Sequence, residues 1–215
     1  DAKHKKLILG RDRLGEKPLY YGWVNDSFVF ASELKAIKAI GGFQNKICQK
    51  SLSLYMQLMY MPTPYSIYSN IYKLHPGALL IANQDIDAYP LKKPPELNTN
   101  INGLDYFKWW DFNHQLQNNS SKQIIDNYQA EHKLDEVLNE AVQSQLISDV
   151  PIGSFLSGGI DSSLITAMMQ KNSKSPVRTF SLGFQEYQFD ESRYAKKIAA
   201  HLKTDHNELI ISHKD

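Results

Sequence analysis

The feature that most constrains the fold is a glycine-containing turn at residues 156–163 (LSGGIDSS). The apolar residues before it, at 150–156, predict a strand of a buried sheet, and those after it, at 164–169, predict a packed helix. Paired glycines let the backbone turn tightly and approach an anion, and the amide groups at a helix start carry partial positive charge. The turn is therefore predicted to hold phosphate groups.

The side chains of this turn indicate both phosphate and metal. Ser157, Ser162 and Ser163 supply hydroxyl donors for phosphate oxygens. Asp161 repels phosphate unless a cation such as Mg²⁺ lies between them. The combination predicts a metal-bound nucleotide. Taken alone, the turn leaves an alternative open, in which it is an ordinary turn with Ser162 or Ser163 as a helix cap.

The surrounding sequence carries a resemblance to a known family. No lysine follows the glycines, so the turn departs from the Walker pattern G-x-x-x-x-G-K-S/T, and transfer of the terminal phosphate is disfavoured. Residues 149–163 (DVPIGSFLSGGIDSS) instead resemble the pyrophosphate-loop signature of the asparagine synthetase family of N-type ATP pyrophosphatases. That resemblance implies cleavage of ATP between its α and β phosphates.

The front half of the chain resembles the same family. Residues 11–21 (RDRLGEKPLYY) and 30–36 (FASELKA) are similar to the later part of its glutaminase domain, a class II amidotransferase sandwich. Arg11 and Asp12 are predicted to form a structural ion pair without a catalytic role.

The resemblance implies a fold class that combines α+β and α/β. It places a partial αββα amidotransferase sandwich at residues 1–112, a linker at 113–128 and, at 129–215, the start of a parallel-sheet α/β domain like the adenine-nucleotide α-hydrolases. The linker rests on a segment poor in apolar and rich in Gln, Asn and Ser side chains.

Local patterns predict the elements of both halves. In the first half they predict strands at 7–9, 19–24, 28–30, 78–82 and 86–89, a helix at 33–40 capped by Ser32, and a helix at 52–61. In the second half they predict helices at 134–146, at 164–169 and after a capping Asp190, and strands at 150–156, 177–183 and 206–211. This alternation implies a parallel sheet that binds its ligand at the carboxyl ends of the strands.

By resemblance, the turn holds the pyrophosphate portion of ATP, and Asp161 helps to place Mg²⁺. Leu156 and Leu182 match positions that contact the nucleotide, although core packing stays open as the role of Leu182. The predicted ATP-binding residues are Leu156, Ser157, Gly158, Gly159, Asp161, Ser162, Ser163 and Leu182.

The activity that the resemblance implies is ATP-dependent amidation of aspartate to asparagine. Glutamine supplies the nitrogen, and an aspartyl-adenylate forms with release of pyrophosphate and then AMP. ATP, aspartate and glutamine are the implied small-molecule partners, and a homodimer is left open. Two alternatives remain: a related enzyme that amidates another carboxylate, such as a sugar acid, and a non-enzymatic nucleotide-binding module.

The position of the only cysteine matters for the glutamine-hydrolysing half of this reaction. The family's glutaminase nucleophile is an amino-terminal cysteine, whereas this chain begins at Asp1. We therefore expect an internal segment that spans a domain seam, contains no glutaminase nucleophile and is inactive alone. The single cysteine, Cys48, excludes an internal disulfide and is predicted to be a partly buried structural thiol.

Composition disfavours several other partners. The formal net charge is +1 and no broad basic run occurs, which argues against a nucleic-acid partner. No apolar run reaches the ~18 residues of a membrane span, so a membrane partner is disfavoured and a cytoplasmic location is the default. The seven histidines are scattered, which predicts no transition-metal site.

Overall fold

The structure, a computed structural model, describes residues 1–84, 86, 90–119, 124, 126–184 and 191–212. The chain divides into two compact units, Asp1–Ser121 and Lys122–Asp215. Strands pair antiparallel in the first unit and parallel in the second. The predicted mixed α/β class is therefore confirmed, whereas the domain boundaries given above stay a prediction.

Two antiparallel sheets form the first unit. Its strands are β1 (Leu7–Gly10), β2 (Tyr20–Val24), β3 (Ser27–Ala31), β4 (Ile71–Lys73), β5 (Ala78–Ala82), β6 (Thr99–Ile101) and β7 (Leu104–Lys108). One sheet has the order β1-β5-β7-β6 and the other the order β3-β2-β4. These strands confirm the predictions at 7–9, 19–24, 28–30 and 78–82. The strand predicted at 86–89 falls, apart from Ile86, outside the described residues.

Aromatic side chains join the two sheets in one core. Tyr21 and Trp23 of β2 are buried in the same cluster as Leu80 of β5 and Tyr106 of β7. The ring centroids of Tyr21 and Tyr106 lie 6.4 Å apart, within the range of favourable aromatic contacts. Burial of apolar side chains from both sheets in one core explains why runs of apolar and aromatic residues predicted these strands correctly.

Two predicted helices of this unit are corrected. α1 (Leu34–Lys38) is shorter than the predicted 33–40, and its N-cap is Glu33, without a side-chain capping bond, where Ser32 had been predicted. α2 (Gln49–Leu58) begins three residues before the predicted 52–61 and ends earlier. It ends because Met59 adopts a left-handed conformation with φ 60°, which stops the helical repeat.

A third helix occupies part of the predicted linker. α3 (Phe112–Asn119) has no buried residue, which is why its polar composition resembled that of a linker. The Asp111 carboxylate accepts a 3.0 Å hydrogen bond from the backbone amide of His114 and so satisfies a free donor at the helix start.

Cys48 lies at a helix start, because α2 begins before the predicted residue 52. It is the N-cap of α2, and it is free and partly exposed. Partial burial acts to raise the pKa of its thiol, but a side-chain hydrogen bond with Ser51 and the backbone amides of Ser51 and Lys50 outweigh that effect and lower the pKa. Its assignment as a structural thiol stays a prediction.

Arg11 and Asp12 are structural, but the predicted ion pair between them is wrong. The Arg11 guanidinium donates to the carbonyl oxygens of Gly15, Lys17 and Leu74, at 2.8, 2.9 and 2.6 Å. The Asp12 carboxylate accepts from the backbone amides of Leu14, Glu16 and Lys17. Both side chains therefore hold the turn after β1 through backbone groups, which adjacency in sequence could not reveal.

His75 is a partly buried titratable group of this unit. Its Nδ1 contacts the hydroxyl of Tyr106, whose pKa burial raises to about 12. Burial lowers the pKa of His75, and the positive charges of Lys108 and Arg11 lower it further. The folded state therefore favours the neutral imidazole.

We expect the first unit to lose stability in acid through His75. Because the folded-state pKa lies below the ordinary value of about 6.5, this contribution is complete above that pH and is lost as the pH falls towards the folded-state pKa. All three tryptophans lie in this unit, so their fluorescence reports its urea midpoint. Between about pH 7.5 and 5.5 the midpoint should fall less in His75→Gln than in the wild type. Equal falls in the two proteins would contradict this assignment.

The second unit alternates helices and strands. Its elements are α4 (Asn127–Gln145), β8 (Gly153–Phe155), α5 (Ile160–Lys171), β9 (Arg178–Phe184), α6 (Ser192–Leu202) and β10 (Asp205–Ile211). The strands form one parallel sheet in the order β10-β9-β8, which confirms the predicted parallel sheet. The predicted cap Asp190 lies outside the described residues, and Glu191 is the N-cap of α6.

One face of this sheet carries the helices. Residues alternate along β9, so Thr179 and Ser181 are buried while Phe180 and Leu182 face the other way. The predicted buried strand at 150–156 is wrong in two respects, because β8 is limited to Gly153–Phe155 and Phe155 is 82% exposed. β8 is an edge strand of the described sheet, and Phe155 pairs in register with Phe180 on the face opposite the buried row.

Across the described residues, no helix combines the length and apolar character needed to cross a membrane.

Candidate functional site

The predicted turn lies at the carboxyl ends of β8 and β9. The backbone amide of Leu156 donates to the carbonyl of Phe180 at 2.8 Å, which continues the parallel pairing by one residue. Leu156 is 1% exposed and packs with Ala195 and Ala199 of α6. The chain then turns through the two glycines into α5, so the turn is anchored on both sides by buried elements.

Serine hydroxyls of the turn lie close together. The Oγ atoms of Ser157 and Ser162 are 2.9 Å apart, and the Ser162 Oγ also accepts from the backbone amide of Ser157 at 3.3 Å. The Ser163 hydroxyl donates to the carbonyl of Gly159 at 2.6 Å. Because these bonds are exposed and local, the hydroxyls can exchange them for bonds to an anion. The structure thus brings the three predicted serines to one small surface.

The two glycines differ in what they require. Gly158 has φ +85°, and a Cβ there would lie 2.6 Å from the Cβ of Tyr194 and 2.8 Å from the amide nitrogen of Ala195. Gly159 has φ −76° and is the N-cap of α5, and the nearest atom to a Cβ there is the Ser157 Oγ at 3.5 Å. Only Gly158 therefore needs to be glycine for steric reasons, because the turn passes directly against α6.

Asp161 is the single acidic residue in the first turn of α5, and it is exposed. Among the described residues, no group of three or more His, Cys, Asp or Glu side chains could hold a metal ion. Mg²⁺ is commonly held by one or two carboxylates together with substrate phosphates and water. One carboxylate beside a hydroxyl-lined turn therefore fits Mg²⁺ that arrives with a nucleotide.

A cavity of about 250 Å³ adjoins the turn at the same end of the strands. Leu182, 51% exposed, lines it, so core packing does not account for this residue. The alternation along β9 could have indicated Phe180 and Phe184, which lie on the same face as Leu182. The lining residues that were not predicted from the sequence are Phe155, Phe180, Ser181, Phe184, Glu191 and Ser192. The mixture of apolar rings and hydroxyls suits a base and ribose next to bound phosphates.

A larger cavity, of about 740 Å³, lies at the opposite end of the same strands. Arg178 and Asp205, the first residues of β9 and β10, are among its lining residues. Ligands of open parallel sheets bind outside the carboxyl ends of the strands. The smaller cavity beside the turn therefore lies at the end of the sheet where such ligands bind, and the larger cavity does not.

Comparison with known proteins gives two family matches along the chain. The model of the glutamine amidotransferase domain matches residues 1–90, and the model of asparagine synthase matches residues 133–215. All the predicted nucleotide-binding residues lie within the second match.

Individual relatives align over nearly the whole chain. A candidate glutamine-hydrolysing asparagine synthetase 2 of Methanocaldococcus jannaschii is 35% identical over 100% of this chain and 38% of its own length. The glutamine-hydrolysing asparagine synthetases 3 and 1 of Bacillus subtilis are 30% and 32% identical over 100% and 98% of this chain. The chain spans 34% and 30% of the lengths of those two relatives. The two family matches follow one another along the chain, in the same order as the two resemblances found in the sequence. Together with these alignments, they show that the chain belongs to the glutamine-hydrolysing asparagine synthetase family.

Proposed function

We propose that the protein containing this sequence is an ATP-dependent carbon–nitrogen ligase that converts aspartate to asparagine with glutamine as the nitrogen donor. The observation that carries the proposal is the exposed cluster of Ser157, Ser162 and Ser163 at the carboxyl ends of parallel strands, with Asp161 beside it. The names of the relatives support the acceptor and the nitrogen donor.

In this proposal the turn binds the β and γ phosphates of ATP. The amides at the start of α5 and the three serine hydroxyls donate hydrogen bonds to phosphate oxygens. The positive ends of these N–H and O–H dipoles stabilise the negative charge that grows on the leaving pyrophosphate. A side-chain carboxylate oxygen of aspartate attacks the α-phosphorus, and the bond from that phosphorus to the α–β bridging oxygen breaks. Ammonia released from glutamine then attacks the activated carbonyl carbon, and AMP leaves.

Asp161 is the residue we propose as the protein ligand of Mg²⁺. The ion, when bound, neutralises charge on the pyrophosphate oxygens as the α–β bond breaks. The cavity beside Leu182 would receive the adenosine portion, which keeps the α-phosphate next to the turn. We place glutamine hydrolysis in the amidotransferase domain to which residues 1–112 contribute, and the ATP-dependent steps in the domain to which residues 129–215 contribute. We also propose a cytoplasmic location.

The nucleotide product tests this proposal. The protein containing this sequence, supplied with ATP, Mg²⁺, aspartate and glutamine, should release AMP and pyrophosphate in equal amounts, measured by chromatography and a coupled pyrophosphate assay. Omission of aspartate should stop the release. Formation of ADP and phosphate would contradict the proposed bond cleavage. Pyrophosphate release that requires a sugar acid would identify a different acceptor, and ATP binding without turnover would favour a non-enzymatic module.

A further inference from the structure

A fully buried hydroxyl lies one turn of α5 beyond the serine cluster. Thr166 is 0% exposed, and its Oγ1 donates to the carbonyl oxygen of Ser162 at 2.8 Å. The same Oγ1 lies 3.0 Å from the hydroxyl of Ser154, a residue of β8. Thr166 therefore connects the strand before the turn to the helix after it, although it stands outside the turn itself.

The direction of these hydrogen bonds follows from the number of protons. A threonine hydroxyl has one proton to donate and two lone pairs to accept with. Because a carbonyl oxygen can only accept, the Thr166 proton must point to Ser162. The 3.0 Å contact is then a hydrogen bond only with Ser154 as the donor, and this acceptor lies closer to the Ser154 hydroxyl than its alternative acceptor, the carbonyl oxygen of Phe155 at 3.3 Å. The result is an ordered chain from Ser154 through Thr166 to the backbone of Ser162.

This chain of hydrogen bonds ends on Ser162, one of the three serines of the turn. The Ser162 hydroxyl contacts that of Ser157 at 2.9 Å, so a shift of the Ser162 backbone moves both hydroxyls. The neighbours of Thr166 along α5 include Met168 and Met169, which are buried in an apolar cluster. An apolar side chain of the same shape, such as valine, could fill the space of Thr166 in such surroundings, so packing alone does not require a hydroxyl there.

We infer that Thr166 is a positioning residue for ATP turnover: its hydroxyl, held by Ser154, fixes the first turn of α5 in the orientation that aligns the pyrophosphate of ATP. The inference rests on the proposed function. It assigns no direct contact between Thr166 and the nucleotide. It predicts instead that loss of the hydroxyl impairs alignment for reaction more than binding.

The experiment compares isosteric variants in the protein containing this sequence. Thr166→Val removes the hydroxyl and keeps the shape, and it should lower kcat for AMP formation by about 10-fold, since small misplacements of reacting groups have effects of up to about 10²-fold. The KM for ATP should change by less than about 3-fold, because the groups that contact phosphate remain. Thr166→Ser keeps the hydroxyl and should restore kcat to within about 2-fold.

Thr179→Val is the matched control. Thr179 is also 0% exposed. Its hydroxyl lies 2.9 Å from the hydroxyl of Thr204 and 2.9 Å from ring Nδ1 of His206, away from the turn. This variant loses comparable buried hydrogen bonds in the same unit and should lower the melting temperature as Thr166→Val does. It should leave kcat within about 2-fold, since the Thr179 hydroxyl bonds to Thr204 and His206 and the hydrogen bonds from Ser154 to Ser162 remain.

A double-mutant cycle completes the test. Ser154→Ala should reproduce the kcat loss of Thr166→Val, and the double variant should be no worse than either single one, because both interrupt the same chain. Ser154→Ala also serves alone if Thr166→Val does not fold. Additive losses, or equal losses in Thr166→Val and Thr179→Val, would overturn the inference.

Failure of the inference and failure of the proposed function give different results. A wild type that makes AMP, with Thr166→Val and Ser154→Ala matching it, rejects the positioning role alone. A wild type that binds ATP without turnover rejects the proposed ligase activity and, because the role inferred for Thr166 is alignment for turnover, the positioning role with it. A wild type that neither binds nor cleaves ATP rejects both.

Discussion

Replacement of Asp161 with asparagine should reduce pyrophosphate release by at least about 10²-fold, the scale seen when one preorganised electrostatic group is lost from an active site. Asparagine keeps the size of the side chain and removes the charge that we propose reaches Mg²⁺. Because Asp161 is exposed in the first turn of α5, the variant should fold normally, and such a loss would not reflect misfolding. The measurement is pyrophosphate release at saturating ATP and Mg²⁺.

Asp135→Asn is the control for this variant. Asp135 is an exposed residue of α4 that lies 3.5 Å from the Lys171 ammonium, so its replacement removes the same charge from the same unit at a distance from the turn. Exposed ion pairs contribute little, and turnover should stay within about 2-fold of the wild type. Glutamine hydrolysis should persist in Asp161→Asn, since we place it in the amidotransferase domain, to which residues 1–112 contribute. Near-wild-type pyrophosphate release by Asp161→Asn would reject Asp161 as the Mg²⁺ ligand.

Replacement of Gly158 with alanine should disrupt the turn by a different route. The left-handed φ of +85° imposes a strain of about 1–3 kcal/mol on a residue with a Cβ. The added Cβ would also meet the backbone of Ala195 at 2.8 Å, so α6 or the turn must move. We expect AMP formation to fall by more than about 10-fold, in line with the loss of positioned binding groups. Amide hydrogen exchange should rise in the first turns of α5 and α6.

Gly159→Ala is the control for Gly158→Ala, because it also replaces a glycine of the turn but introduces no backbone strain. Its φ of −76° is ordinary for alanine, and the closest atom to the new Cβ lies at 3.5 Å. Hydrogen exchange in α5 and α6 should therefore match that of the wild type. Equal effects of Gly158→Ala and Gly159→Ala on exchange would show that the contact between the turn and α6 does not constrain the protein.

Sequence patterns predicted best where the determining interactions are local. The β2–β3 hairpin was predicted because two apolar runs are separated by Asn25 and Asp26, and Val24 pairs with Ser27 across this turn. Helix limits were predicted less well. The start of α2 was predicted too late because its N-cap is Cys48, which is not one of the residue types that typically cap a helix.

The sequence by itself determined that a strand, a glycine turn with three serines and a helix follow one another at residues 153–171, because glycine conformation, hydroxyl chemistry and apolar periodicity are properties of neighbouring residues. It also determined the parallel character of the second sheet, since short strands joined by helices pair in that way. Binding roles for these residues stay a prediction.

Only the tertiary structure decided which of these residues are constrained and by what. Gly158 must be glycine because Tyr194 and Ala195, which lie far along the chain, come against it in space. Arg11 holds its turn through the carbonyl of Leu74, and Thr166 connects Ser154 to Ser162 across two elements. Such contacts depend on the packing of distant segments, which no local pattern of residue types encodes.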